Sequence, residues 1–147
     1  MNTLIESLED FTWENYKTIS DALVVFDEYG IDNEMVRQAS IYSYYYGLMS
    51  KAKRMVNEHS VEVTRYAANL RKVSKADSTT KLTAKDLDDI VFGDDYYSEL
   101  QNKVDESTFK YEMLKGLVRA LEQKKDMLQQ INAKKLNYTS NTTIITN

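Results

Sequence analysis

The chain has 147 residues, 19 Lys+Arg against 23 Asp+Glu and a net charge of −4 with its single histidine neutral, and it contains no cysteine, no proline and only four glycines. The lack of cysteine excludes a disulfide framework, a thiolate zinc site and a cysteine nucleophile, and so little turn punctuation argues against a β-sandwich or barrel. No apolar run approaches the ~20 residues of a membrane span and no basic-then-apolar leader opens the chain, so the expectation is a soluble, cytoplasmic, all-α protein with no membrane association.

In chain order, Tyr16, Ile19, Leu23 and Phe26 recur at three- and four-residue steps between Trp13 and Tyr29, one face of a first, short helix inside an acidic region 1–32. Gly30 closes that stretch, and Asp32 or Asn33 offers the N-cap of the next. From Met35 through Ala39, Tyr42, Tyr46, Met49, Val56, Val63, Ala67 and Leu70 the period holds for about ten turns, predicting a long helix over 33–75. The polar run Ser74–Lys81 reads as a connector. Thr83-Ala84-Lys85-Asp86 then has the form of a helix cap for a short helix over 82–92, carrying Leu87, Ile90, Val91 and Phe92 and stopped by Gly93. Asp94-Asp95 opens a last long helix over 95–134, where carboxylates suit the positive end of the helix dipole. From Leu136 the period lapses, and 136–147 is expected to be a frayed polar tail. These elements form a single helical domain, 1–135, in which two helices of about 40 residues make a long antiparallel hairpin.

Each long helix carries more than one apolar stripe. Ile41, Tyr45, Leu48, Ala52 and Met55 accompany the first series on one helix, and Leu117, Met127 and Ile131 accompany Leu114, Val118, Leu121 and Leu128 on the other. A two-helix hairpin buries one stripe per helix, so the surplus predicts a homo-oligomer.

The mild net charge conceals four blocks. Residues 1–50 hold two basic against nine acidic groups (−7), 51–81 eight against three (+5), 82–112 three against nine (−6) and 113–147 six against two (+4). In a folded-back hairpin, blocks of opposite sign meet, which sets register and partner choice. The same basic block, with Lys51, Lys53, Arg54, Arg65, Arg71, Lys72, Lys75 and Lys81, also has the composition of a strip that tracks a polyanion, and the two readings are compatible. Tyrosine is overused, 11 residues with Tyr42, Tyr44, Tyr45 and Tyr46 nearly consecutive. Packing accounts for them more simply than base stacking does. His59 has no second strong ligand beside it, and the acids Asp86, Asp88, Asp89, Asp94 and Asp95 lack the calcium-loop spacing. There is no phosphate loop and no nucleophile with its base, so neither an enzyme nor a cofactor is expected.

Lys81-Leu82-Thr83, then Asp86-Leu87-Asp88-Asp89-Ile90-Val91 and Asp94-Asp95-Tyr96, leads into the run from Met113-Leu114-Lys115-Gly116-Leu117 to Lys124-Lys125-Asp126-Met127-Leu128. This pattern resembles the UvsY-like recombination mediators of tailed bacteriophages, over 35–135 in layout and over about 80–133 in residues. The resemblance implies an oligomer that binds single-stranded DNA. It would help load a recombinase onto DNA coated by a single-stranded-DNA-binding protein. It also implies DNA contacts near the end of the first long helix, at Arg71 and Lys72 and next at Arg65 and Lys75, and assembly through the last helix, whose double stripe of Leu114, Leu117, Val118, Leu121 and Leu128 suits an oligomer interface. The acidic N-terminal 32 residues depart from that pattern. A structural component of a phage particle is the alternative reading, and an acidic DNA mimic a third that the basic stretches oppose.

Overall fold

A computed structural model describes residues 8–143. Among these there is no strand, and the helices are α1 (Trp13–Val24), α2 (Ile31–Asp77), α3 (Ala84–Phe92) and α4 (Asp95–Thr143), with a 3-10 turn at Glu28–Gly30. The all-helical class and the order of one short helix, a long helix, a short helix and a second long helix agree with the sequence.

The ends of the helices differ from the predicted ones for local reasons. At the entry to α1 the Thr12 amide donates to Asn15 Oδ1 at 3.0 Å. The helix stops at Val24, and Phe26 lies beyond it, because Asp27 turns its carboxylate onto the Tyr29 amide (3.2 Å) and nucleates the 3-10 turn instead. α2 follows that turn directly at Ile31, so neither Asp32 nor Asn33 is its cap. Its end is set by Ser78, whose hydroxyl donates to the Thr80 carbonyl (2.7 Å) and accepts from the Thr80 amide (3.2 Å). Thr83 caps α3 in the predicted way: its hydroxyl accepts from the Asp86 amide (3.2 Å) while Asp86 Oδ2 accepts from the Thr83 amide (2.8 Å). Asp94 Oδ1 accepts from the Tyr97 amide (2.7 Å) at the start of α4.

The last helix continues to Thr143, past the expected end near 134. After Gly116 it meets neither glycine nor proline, and Thr139 and Ser140 donate their hydroxyls to the carbonyls of Lys135 and Leu136, each at 2.9 Å, within the same helix. Residues 144–147 of the expected tail, like 1–7 of the acidic N-terminal region, lie outside the described residues.

The helices pack as two compact units. One compact unit takes the chain up to Met49 together with the residues from Glu112 onward, and the other is Ser50–Tyr111. In the first unit α1 and the start of α2 pack on α4. Phe11, Leu23, Ile31, Ile41, Tyr45 and Leu48 are buried there, as are Leu114, Leu117, Val118, Leu121 and Leu128 of α4. The Gln38 amide donates to the Leu121 carbonyl (2.6 Å) and Tyr42 Oη donates to Glu122 Oε1 (2.8 Å). In the second unit Ala52, Val63 and Ala67 of α2, Leu87 and Val91 of α3 and Leu100 of α4 form a thinner core. His59 meets Lys103 and Ser107, and Tyr66 meets Tyr96, so α2 and α4 run antiparallel there.

Candidate nucleic-acid interface

The basic residues of α2 singled out from the sequence all fall in the Ser50–Tyr111 unit. Lys51, Lys53, Arg54, Arg65, Lys72 and Lys75 are exposed, while Arg71 is half-buried. Helical geometry divides them further. Arg54, Arg65 and Lys72 are eleven and seven residues apart, close to three and two turns at 3.6 residues each, so the three share one line along α2. That line lies opposite the buried series Ala52, Val63 and Ala67. Lys51 and Lys75 flank it, and Lys53 and Arg71 lie to the side.

Two of these cations are already engaged. Arg71 Nη2 lies 2.8 Å from Asp88 Oδ1 of α3, with both side chains part-exposed. Arg54 Nε lies 2.8 Å from Glu58 Oε1 one turn on. Exposed pairs of this kind contribute about 0–1 kcal/mol, so each can exchange its carboxylate for a phosphate. Among the described residues Lys51, Lys53, Arg65, Lys72 and Lys75 make no ion pair. Of the two adjacent cations, Arg71 turns toward α3 and Lys72 is exposed.

Beside Arg65 the surface dips into a cleft of about 400 Å³ lined from α2 by Glu58, Val61, Glu62, Arg65, Tyr66 and Asn69 and from α4 by Tyr96 and Leu100. The Tyr66 and Tyr96 rings meet edge to face, centroids 4.9 Å apart at 74°. Loss of solvent around it, and then a hydrogen bond to Asp94, push the Tyr66 hydroxyl above its ordinary pKa. Sequence periodicity gave Tyr96 no such role, because its partner lies thirty residues away on another helix.

The tyrosine run is divided between core and rim. Tyr45 is fully buried, Tyr44 packs edge to face on it at 5.3 Å, and Tyr42 stacks on the half-exposed Tyr46 at 5.9 Å. The Tyr42 hydroxyl is raised above its ordinary value first by its bond to Glu122. His59 Nδ1 lies 3.2 Å from Ser107 Oγ and from the Lys103 carbonyl. That hydroxyl also lies 2.7 and 3.1 Å from the carbonyls of Lys103 and Val104 of its own helix, and the contact joins α2 to α4. Among the described residues no group of three His, Asp or Glu side chains is placed to hold a metal ion. Nor is any helix there long and apolar enough to cross a membrane.

The five residues expected at an oligomer interface lie buried within the chain. Leu114, Leu117, Val118, Leu121 and Leu128 are each at most 4% exposed within the chain itself. α1 and the start of α2 lie over this part of α4: Tyr16 Oη lies 3.6 Å from where a Cβ on Gly116 would stand, Lys124 donates to the Leu23 carbonyl, and Gln38 donates to the Leu121 carbonyl. The apolar stripe left open in that unit belongs to α2 instead. Met35, Ala39 and Tyr42 line a groove of about 300 Å³ with Gln38 and with Lys125, Leu128 and Gln129 of α4. No protein-family model, no curated protein and no solved structure matches the chain.

Proposed function

We propose that this chain is a non-catalytic single-stranded-DNA-binding protein that works as a recombination mediator, as its resemblance to the UvsY-like proteins implies. It would assist the loading of a recombinase onto strands held by a single-stranded-DNA-binding protein. The observation that carries the DNA-binding step is the outward line of Arg54, Arg65 and Lys72, flanked by Lys51 and Lys75, on the side of α2 away from its core. A row of cations at helical spacing follows a phosphate backbone by charge alone and gains its affinity from released counterions. Assembly of several copies belongs to the same reading, through the open groove around Met35 and Ala39.

A second reading, a structural assembly protein, is favoured by the use of Arg71 and Lys124 in internal pairs with Asp88 and Glu34. One titration separates the two. Anisotropy of a labelled single-stranded oligonucleotide should rise saturably with protein and fall steeply with salt. In the Arg65→Glu, Lys72→Glu double variant the log–log salt slope should be shallower by about 1.4, two contacts at roughly 0.7 each. A flat trace at low salt, or an unchanged slope in a folded double variant, favours the structural reading.

A further inference from the structure

We infer that the cleft beside Arg65 receives one unpaired nucleobase, and that it favours bases bearing an exocyclic amino group (cytosine, adenine or guanine) over thymine. The inference rests on the single-stranded-DNA reading above and adds to it a base-contacting site.

Three features of the cleft act on different parts of a nucleotide. Tyr96 is 45% exposed and is braced by the edge-to-face contact with Tyr66, so its ring offers a fixed platform at little cost in side-chain entropy. Stacking on such a ring is open to every base. Val61 and the buried Leu100 complete an apolar floor. Arg65 belongs at once to the cleft and to the outward basic line, which places a guanidinium for the phosphate of the nucleotide whose base enters.

The carboxylates decide the preference. Glu58 is held by Arg54 at 2.8 Å. Glu62, exposed on the rim, makes no ion pair among the described residues. An ionised carboxylate only accepts hydrogen bonds. It therefore accepts from the amino group of cytosine, adenine or guanine, whereas thymine offers it only N3–H, set between two carbonyl oxygens that repel a carboxylate. Asn69 can donate or accept, so it adds affinity without choosing.

The test is competition among oligo(dC), oligo(dA) and oligo(dT) of equal length at fixed salt. On the unaltered protein, oligo(dC) and oligo(dA) should bind about fivefold tighter than oligo(dT), the worth of roughly one good base contact. Glu62→Gln should bring the three together, because an amide can donate to thymine. Tyr96→Leu should weaken all three by about fivefold or more with the salt slope unchanged, whereas Tyr96→Phe should retain binding. Salt-sensitive binding with equal affinity for the three oligonucleotides overturns the cleft and leaves the basic line standing. Absence of salt-sensitive binding to any of them overturns both. The comparison on the unaltered chain needs no variant, so a misfolded mutant cannot decide it.

Discussion

Asp86 shows how a single side chain here answers to its neighbours. Its carboxyl is held below the ordinary carboxylate range first by the Thr83 hydroxyl and then by the Thr83 amide, with burial opposing weakly. A carboxyl whose folded value is lowered stabilises the fold above its unfolded value, and that stabilisation is lost as the pH falls through the lowered one. NMR titration should therefore find Asp86 among the last aspartates to protonate, with the start of α3 loosening only as it does. Thr83→Ala should move Asp86 part of the way back up, because the amide still donates. A titration of Asp86 indistinguishable from that of an exposed aspartate would contradict the cap. This cap was readable from four consecutive residues, since both of its bonds span three positions. Tyr96 was not: its place in the cleft depends on Tyr66, which only the packing of two helices brings to it.

At the scale of elements, Lys124 decides how α1 and α2 sit on α4 within their unit. In the sequence it is one cation of a basic tail. In the fold it is 2% exposed, donates to the Leu23 carbonyl at 2.6 Å, pairs with Glu34, and lies 5.7 Å from the Phe26 ring centroid. Leu23 is near the C-terminus of α1, where carbonyls lack helical partners and the dipole is negative. One ammonium thus answers the end of α1 and the first turn of α2 together. Lys124→Met should lower stability by about 3 kcal/mol in urea denaturation, the low end of the cost of breaking a buried pair, because Glu34 keeps part of its surface in water. Adding Glu34→Gln should return part of that loss. No loss in the single variant would show that the pair holds nothing. Helix existence and order were legible from the apolar period, but three helix ends were not. Asp27 and Ser78 bond their own neighbouring backbone where a helix could have continued, while Thr139 and Ser140 bond carbonyls inside a helix that does continue, and periodicity registers neither.

For the molecule as a whole, the surplus of apolar surface was legible and its location was not. The sequence places too many stripes on two helices for one hairpin; the structure buries the stripe of α4 beneath α1 and the start of α2 and leaves Met35, Ala39 and Tyr42 lining an open groove. Gln38, 5% exposed at the base of that groove, keeps its Oε1 without a partner. Ala39→Glu changes an exposed groove position and should shift the mass measured by light scattering toward the monomer without changing helix content. Leu121→Ala should instead lower folding stability by about 2–5 kcal/mol whatever the state of assembly, as a core truncation does. If Leu121→Ala separates copies while sparing stability, the interface is the one the sequence suggested. If Ala39→Glu leaves an oligomer intact, the groove is not where copies meet.

The sequence by itself determined that this chain is helical, how many helices it makes, and where its charge and apolar surface lie along each one. All of these are local quantities, set by spacing within a few turns. The tertiary structure alone decided which of two equivalent stripes is core, which cations face a carboxylate and which face outward, and which tyrosines meet across helices. Those outcomes depend on the rotation of one helix against another, and a rotation of a quarter turn exchanges them without altering the periodicity of a single residue.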